Sequence, residues 1–229
     1  MKIVTFSDIH GQQNKKLTNW FESNPADLLI FAGDLQANQT TDDGTKFTQW
    51  LHKLPYPSKI MVFGNHDGYY DIITNYVVNN FYDDIVILNN NSYTYNKNGN
   101  EINIFGSPHS VEFGSWWFML KDEELEKLWE KIPDNTDILI THGPPYGILD
   151  KTYAGINAGS KTLAKRIAEL KKLKYHIFGH IHEAFGTVTI GQVTYLNTSL
   201  LNERYKFVNN PIIIDYAAGT TETDYNVGE

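Results

Sequence analysis

Five short apolar, β-branched runs in this chain each stop at a turn carrying Asp, His or Asn, and that repetition constrains the fold more than any other feature. Residues 3–6 stop at Asp8 and His10, residues 28–31 at Gly33-Asp34, and residues 60–63 at Gly64-Asn65-His66-Asp67. Residues 138–140 stop at Thr141-His142-Gly143, and residues 176–178 at Gly179-His180-Ile181-His182. Runs of this length, bounded in this way, read as buried strands. Helical spacing lies between them, over residues 12–23, 45–53, 70–79, 122–131 and 160–172. Strands that alternate with helices predict βαβ units and a largely buried sheet. Residues 85–105 and 186–214 read instead as hairpins or antiparallel additions, broken by Asn-rich and Gly-bearing turns. A sandwich of two sheets covered by helices fits this pattern better than one doubly wound sheet. No linker or composition shift divides the chain, so residues 1–229 are expected to form one domain, with a loose polar tail from about Gly219.

In open α/β sheets, ligands gather outside the carboxyl ends of the strands. There the turns supply the carboxylates of Asp8 and Asp34, the amide of Asn65, and the imidazoles of His10, His142, His180 and His182, with His66 beside them. The chain has no cysteine, so thiolate sites are excluded and any metal is held by oxygen and imidazole. Such donors suit Mn, Fe, Zn or Ni. One metal takes three or four protein ligands, so this set is large enough for two metals sharing one carboxylate. Two cations ~3.5–4 Å apart can activate a hydroxide and clamp a phosphoryl oxygen. Taken singly, the pieces have plainer readings: Asp8-Ile9-His10 as a helix cap or turn, and Asn65-His66-Asp67 as a turn that tolerates left-handed backbone. Gly179-His180-Ile181-His182 is the most specific, because alternate residues of an extended turn point the same way.

The five motifs, in this order over residues 8–182, resemble the calcineurin-like metallophosphoesterase superfamily. That resemblance implies an α/β fold, a four-layer αββα sandwich of two mixed β-sheets flanked by helices. It also implies that Asp8, His10 and His182 hold one divalent metal, that Asn65, His142 and His180 hold the other, and that Asp34 bridges both. His66 is then expected to lie beside the metals and to stabilise the transition state or protonate the leaving oxygen, with Asp67 orienting it. A histidine that donates a proton cannot also give that lone pair to a metal. Thr141-His142-Gly143-Pro144-Pro145, Gly106-Ser107-Pro108, Gly179-His180-Ile181-His182-Glu183 and Asn197-Thr198-Ser199 resemble the cyclic-nucleotide-phosphodiesterase-like and metallophosphoesterase-domain-containing branch. Phosphoprotein phosphatases of the superfamily carry an Arg shortly after the second motif, and Gly33-Asp34-Leu35-Gln36-Ala37-Asn38 has none. A dianionic monoester gains more from such a cation than a monoanionic diester does. The expected activity is hydrolysis of small phosphodiesters, cyclic nucleotides among them, by attack of a metal-bridging hydroxide. The rivals are a phosphomonoesterase and a catalytically silent scaffold. The scaffold reading is weakened because every ligand position and His66 are filled.

A net charge of -8 argues against long nucleic acid and anionic membranes as partners and leaves a small phosphate ester as the expected one. No apolar run is long enough to span a membrane, and the first residues do not read as a signal peptide, so a cytoplasmic location is expected. His52 and His176 read as structural, and His109 as a turn or surface residue. Trp116-Trp117-Phe118 reads as core packing or a lid, with stacking on a nucleobase as the alternative. Lys161, Lys165 and Arg166 read as the solvated face of a helix.

Overall fold

The computed structural model describes residues 1–36, 40–78, 81–217 and 219–222. Four parallel strands, β1 (Lys2–Phe6), β2 (Leu28–Ala32), β3 (Lys59–Val62) and β4 (Ile85–Ile87), form much of a first sheet. Helices α1 (Lys15–Ser23) and α2 (Thr41–Lys53) connect the first three. Asn14 and Thr40 start these helices by accepting the Leu17 and Asp43 N–H groups on their side chains. Within the stretch predicted helical over residues 70–79, only Tyr70–Ile72 (α3) is α-helical. Residues Ile73–Val78 widen into a π-helix, and Asn79 lies outside the described residues.

The second sheet contains β5 (Asn91–Lys97), β6 (Asn100–Ser107), β9 (Ile138–Thr141), β10 (Tyr175–Phe178), β11 (Gly186–Ile190) and β12 (Val193–Asn197). Its order is β11-β12-β10-β9-β6-β5, and β6, β9, β10 and β12 run parallel. Strands β7 (Ser110–Val111) and β8 (Met119–Leu120) make a separate short ladder. Helices α4 (Asp122–Trp129) and α5 (Lys161–Glu169) cover the second sheet. The chain then returns to the first sheet, where β13 (Ile212–Asp215) pairs antiparallel with β1.

Two further expectations change. The stretch 85–105 is split between the sheets: β4 extends the first in parallel, and only β5 and β6 form a hairpin, because Asn90 in left-handed backbone redirects the chain. Gly219 does not begin a loose tail, since Thr220–Glu222 forms β14 on β13; residues 223–229 lie outside the described residues.

Strand alternation decides the layers. Leu28, Ile30 and Ala32 of β2 face Ile104, Ile138, Ile140, Ile177 and Leu196 of the other sheet. Their neighbours Leu29 and Phe31 face the opposite way, into a core with Phe21, Phe47 and Leu51 of α1 and α2. A third core joins Phe105, Leu139 and Phe178 to Leu125, Trp129, Leu163 and Ile167 of α4 and α5. The result is a four-layer αββα sandwich. A bridge between Ser7 and Ser199 stitches the two sheets together where β1 and β12 end.

Candidate metal centre

All the turns singled out in the sequence gather at that stitched edge, at the carboxyl ends of β1, β2, β3, β9 and β10. The backbone there is strained: Asp8, His10, Asp34 and His180 have φ of 54, 45, 61 and 72°. Non-glycine residues adopt this region at a cost of about 1 kcal/mol or more each, and such outliers cluster at functional sites. Gly64 and Gly179 admit the chain where a side chain could not fit. A Cβ on Gly64 would overlap the Asp34 carboxylate, and one on Gly179 would overlap the Asp8 carboxylate and the Ser7 hydroxyl.

Three groups of donor atoms lie within 4.8 Å of one another: Asp8, His10 and His182; His10, Asp34 and His66; Asp34, His142 and His180. Asp34 is common to the last two. Asn65 joins the third group, with its Oδ1 2.9 Å from His142 Nε2. The other nitrogens are anchored: His142 Nδ1–H donates to the Ala32 carbonyl at 2.9 Å and His182 Nδ1–H to the Asn202 carbonyl at 3.0 Å. Such backbone acceptors fix a ligating tautomer and turn Nε2 toward a cation.

Charge is balanced locally. Burial raises Asp34 and Asp8, but the imidazoles around them outweigh it and hold both carboxyls below the usual carboxylate range. Burial likewise opposes protonation of His142 and His182, yet Asp34 beside the first and Asp8 beside the second push each up to about 9. Burial dominates at His10 and His180, which fall to about 4 and about 3. His10 Nε2 is buried without a hydrogen-bond partner, 3.6 Å from Asp34 Oδ2. A buried, unpartnered imidazole nitrogen beside two acidic groups fits a divalent cation.

Asp67 does not face the His66 ring. Its buried Oδ1 accepts the Leu35 and Gln36 N–H groups at 2.9 and 3.1 Å, and its Oδ2 those of Asp34 and Gly64 at 3.0 and 2.7 Å. The turn directs this side chain inward, under the Asp34 loop, so Asp67 clamps the loop and its orienting role toward His66 is corrected. The His66 N–H donates to Asp34 Oδ1 at 2.8 Å, and its ring lies 4.7 Å from that of His10 and 4.4 Å from that of Trp116.

Several supporting residues escaped the sequence reading. Asp8 Oδ2 accepts the Ser7 and Ser199 hydroxyls at 2.5 and 2.7 Å, and Thr198 donates to Ser7. Tyr205 stands edge-on to His10 and His182 at 4.8 and 5.5 Å. Only Asn197-Thr198-Ser199 carried a sequence signal. The aromatic triplet divides: Trp116 covers His66, while Phe118 packs into the core near Phe63. His109 is half-buried behind the site, where its carbonyl accepts the Gly143 N–H and its ring meets Ser107. His176 is buried against Thr141, and His52 pairs with Asp84, both away from the donor groups. Lys165 and Arg166 form surface ion pairs with Glu126 and Asp134.

Residues 1–184 match the family described as calcineurin-like phosphoesterase. The chain belongs to that family. Human metallophosphoesterase domain-containing protein 1 is 32% identical, over 93% of this chain and 70% of its own length. A protein named as a probable glycerophosphodiester phosphodiesterase, from Arcobacter nitrofigilis, is 26% identical over 71% of this chain and 59% of its own. The solved structure of TT1561 from Thermus thermophilus has the same fold, with a TM-score of 0.68 and 16% identity over 98% of each chain. Calcineurin-like phosphoesterases typically bind two divalent metals, and the Asp and His groups described above are candidate ligands. Among the described residues, no helix is long and apolar enough to cross a membrane.

Proposed function

We propose that this calcineurin-like phosphoesterase is a dinuclear-metal phosphodiesterase acting on small diesters, cyclic nucleotides included. The observation that carries this reading is the charge of the cleft over the donor groups. That cleft, of about 180 Å³, has no Lys or Arg among the described residues that line it, and Glu183 and Glu203 stand at its rim. Arg204, on the neighbouring turn, is exposed and lies 3.4 Å from Glu203. A phosphomonoester dianion gains more from a protein cation than a diester monoanion does, so a cleft without one favours the diester. The same acidic rim disfavours long nucleic acid and anionic membranes as partners.

In this proposal, Asp8, His10 and His182 would hold one cation and Asn65, His142 and His180 the other, and Asp34 would serve both. When bound, the cations supply Lewis acidity to the phosphoryl oxygens and make a water nucleophilic at neutral pH. Asp67 fixes the Asp34 loop, and Ser7 and Ser199 fix the Asp8 carboxylate. His66, held under Trp116, donates a proton to the leaving oxygen as water adds to phosphorus and the P–O bond to the alcohol breaks. The absence of cysteine accords with a cytoplasmic location, which belongs to the same proposal.

The test compares bis-p-nitrophenyl phosphate with p-nitrophenyl phosphate on metal-stripped protein given Mn²⁺. The expected ratio of kcat/KM is well above one. A ratio well below one overturns the diesterase reading in favour of a monoesterase.

A further inference from the structure

An acyclic diester has two substituents, one that leaves and one that stays on phosphorus, and the molecule offers distinct surroundings for each. A second cavity, of about 800 Å³, shares Phe113 and His180 with the metal cleft, so the two adjoin there. His66 borders the cleft but not this cavity. The two histidines also belong to different donor groups, His66 with His10 and Asp34, and His180 with His142 and Asp34. Proton donation to a leaving oxygen therefore belongs with the His66 group, and the cavity adjoins the His180 group.

The walls of the cavity indicate what it accepts. Phe113, Tyr146 and Ile156 line it while 69, 43 and 64% exposed, and large apolar side chains left open beside a reaction centre mark a binding surface. The Phe113 ring lies 5.6 Å from that of His180, which carries the apolar wall up to the donor groups. The charges in the wall are mostly negative: Glu112, Asp122 and Glu123 against Lys161, whose ammonium stands 5.2 Å over the Tyr146 ring. Asp122 is engaged at the start of α5, where it accepts the Lys161 and Thr162 N–H groups. An acidic, aromatic cavity repels a second phosphate and favours an uncharged ring.

We infer that this cavity is the subsite for the retained ester substituent of an acyclic diester, and that the substrate carries there an uncharged, ring-bearing alcohol. The leaving alcohol departs beside His66 and Trp116. Tyr146 and Ile156 are then specificity-determining residues that act on substrate choice and not on the bond that breaks. The inference rests on the diesterase reading and adds to it which substituent is recognised.

Two diesters with the same leaving group separate the possibilities. Bis-p-nitrophenyl phosphate retains an aryl ring, methyl p-nitrophenyl phosphate retains only a methyl, and both release p-nitrophenolate. The manganese-loaded protein is expected to prefer the aryl diester, chiefly through KM. Tyr146→Ala and Ile156→Ala are expected to lower that preference by about tenfold, the usual worth of one apolar contact in a specificity pocket, and Tyr146→Phe to retain it. Both side chains are exposed, and equal manganese content in variant and parent verifies that the metal centre is intact. If kcat/KM falls equally for both diesters, or the preference is unchanged in both alanine variants, the inference is overturned while the diesterase reading stands. If the parent protein turns over neither diester, the diesterase reading fails and the inference with it.

Discussion

Replacing Asp67 by Asn separates a clamp from a catalytic partner. The carboxylate receives four buried backbone N–H groups, two on each oxygen. An asparagine keeps one oxygen and turns its own N–H₂ toward the other pair of donors. Two buried N–H groups then lose their acceptor, at about 1–3 kcal/mol each, or about 4 kcal/mol together. Burial and the neighbouring Asp34 charge push the Asp67 carboxyl up to about 8, and an uncharged asparagine is free of both penalties, an opposing gain of about 1 kcal/mol. The net loss of about 3 kcal/mol lowers Tm by roughly 6–12 °C for a chain of this size. The donors that come free belong to the loop carrying Asp34, so bound metal should fall as well. Calorimetry of Asp67→Asn with and without Mn²⁺, together with metal analysis by mass spectrometry, reads both quantities. A variant that melts within about 1 °C of the parent and keeps its metal, but loses turnover, would refute the clamp and return Asp67 to His66.

His66→Ala should keep its metal and lose about 10²–10⁴-fold in kcat on a diester with a poor leaving group, with a smaller loss on p-nitrophenyl esters, which need little proton transfer; an equal loss on both speaks against the acid role. Ser199→Ala removes a donor from Asp8 Oδ2 and should weaken metal binding by about 10–100-fold at unchanged stoichiometry, as read by titration calorimetry. His142 and His182, both pushed up to about 9 beside Asp34 and Asp8, hold protons at neutral pH that a cation must displace. Metal binding should therefore release protons, and affinity should rise about tenfold per pH unit per displaced proton until pH passes 9, where it levels off. Binding that is flat from neutral pH up to that point contradicts the linkage.

Much of the candidate site was legible in the sequence because its signals are local. A β-branched run announces a strand, a Gly-Asp or Gly-Asn-His step announces the turn after it, and ligands collect at strand ends. Asp8, His10, Asp34, Asn65, His142, His180 and His182 could thus be named before any of them had a neighbour, and the structure brings them together.

The tertiary structure decided whatever depends on two distant segments meeting. Ser199 reaches Asp8 across 191 residues, and Asp67 reaches the Asp34 loop across 33, contacts that leave no periodicity in either segment. The split of residues 85–105 between two sheets, and the cavity that Phe113 shares with Tyr146 and Ile156, likewise exist only once the layers have packed. Sequence pattern records which face of an element is buried and how the backbone turns. It does not record which other element supplies the partner, because that choice is made by the packing of the whole core.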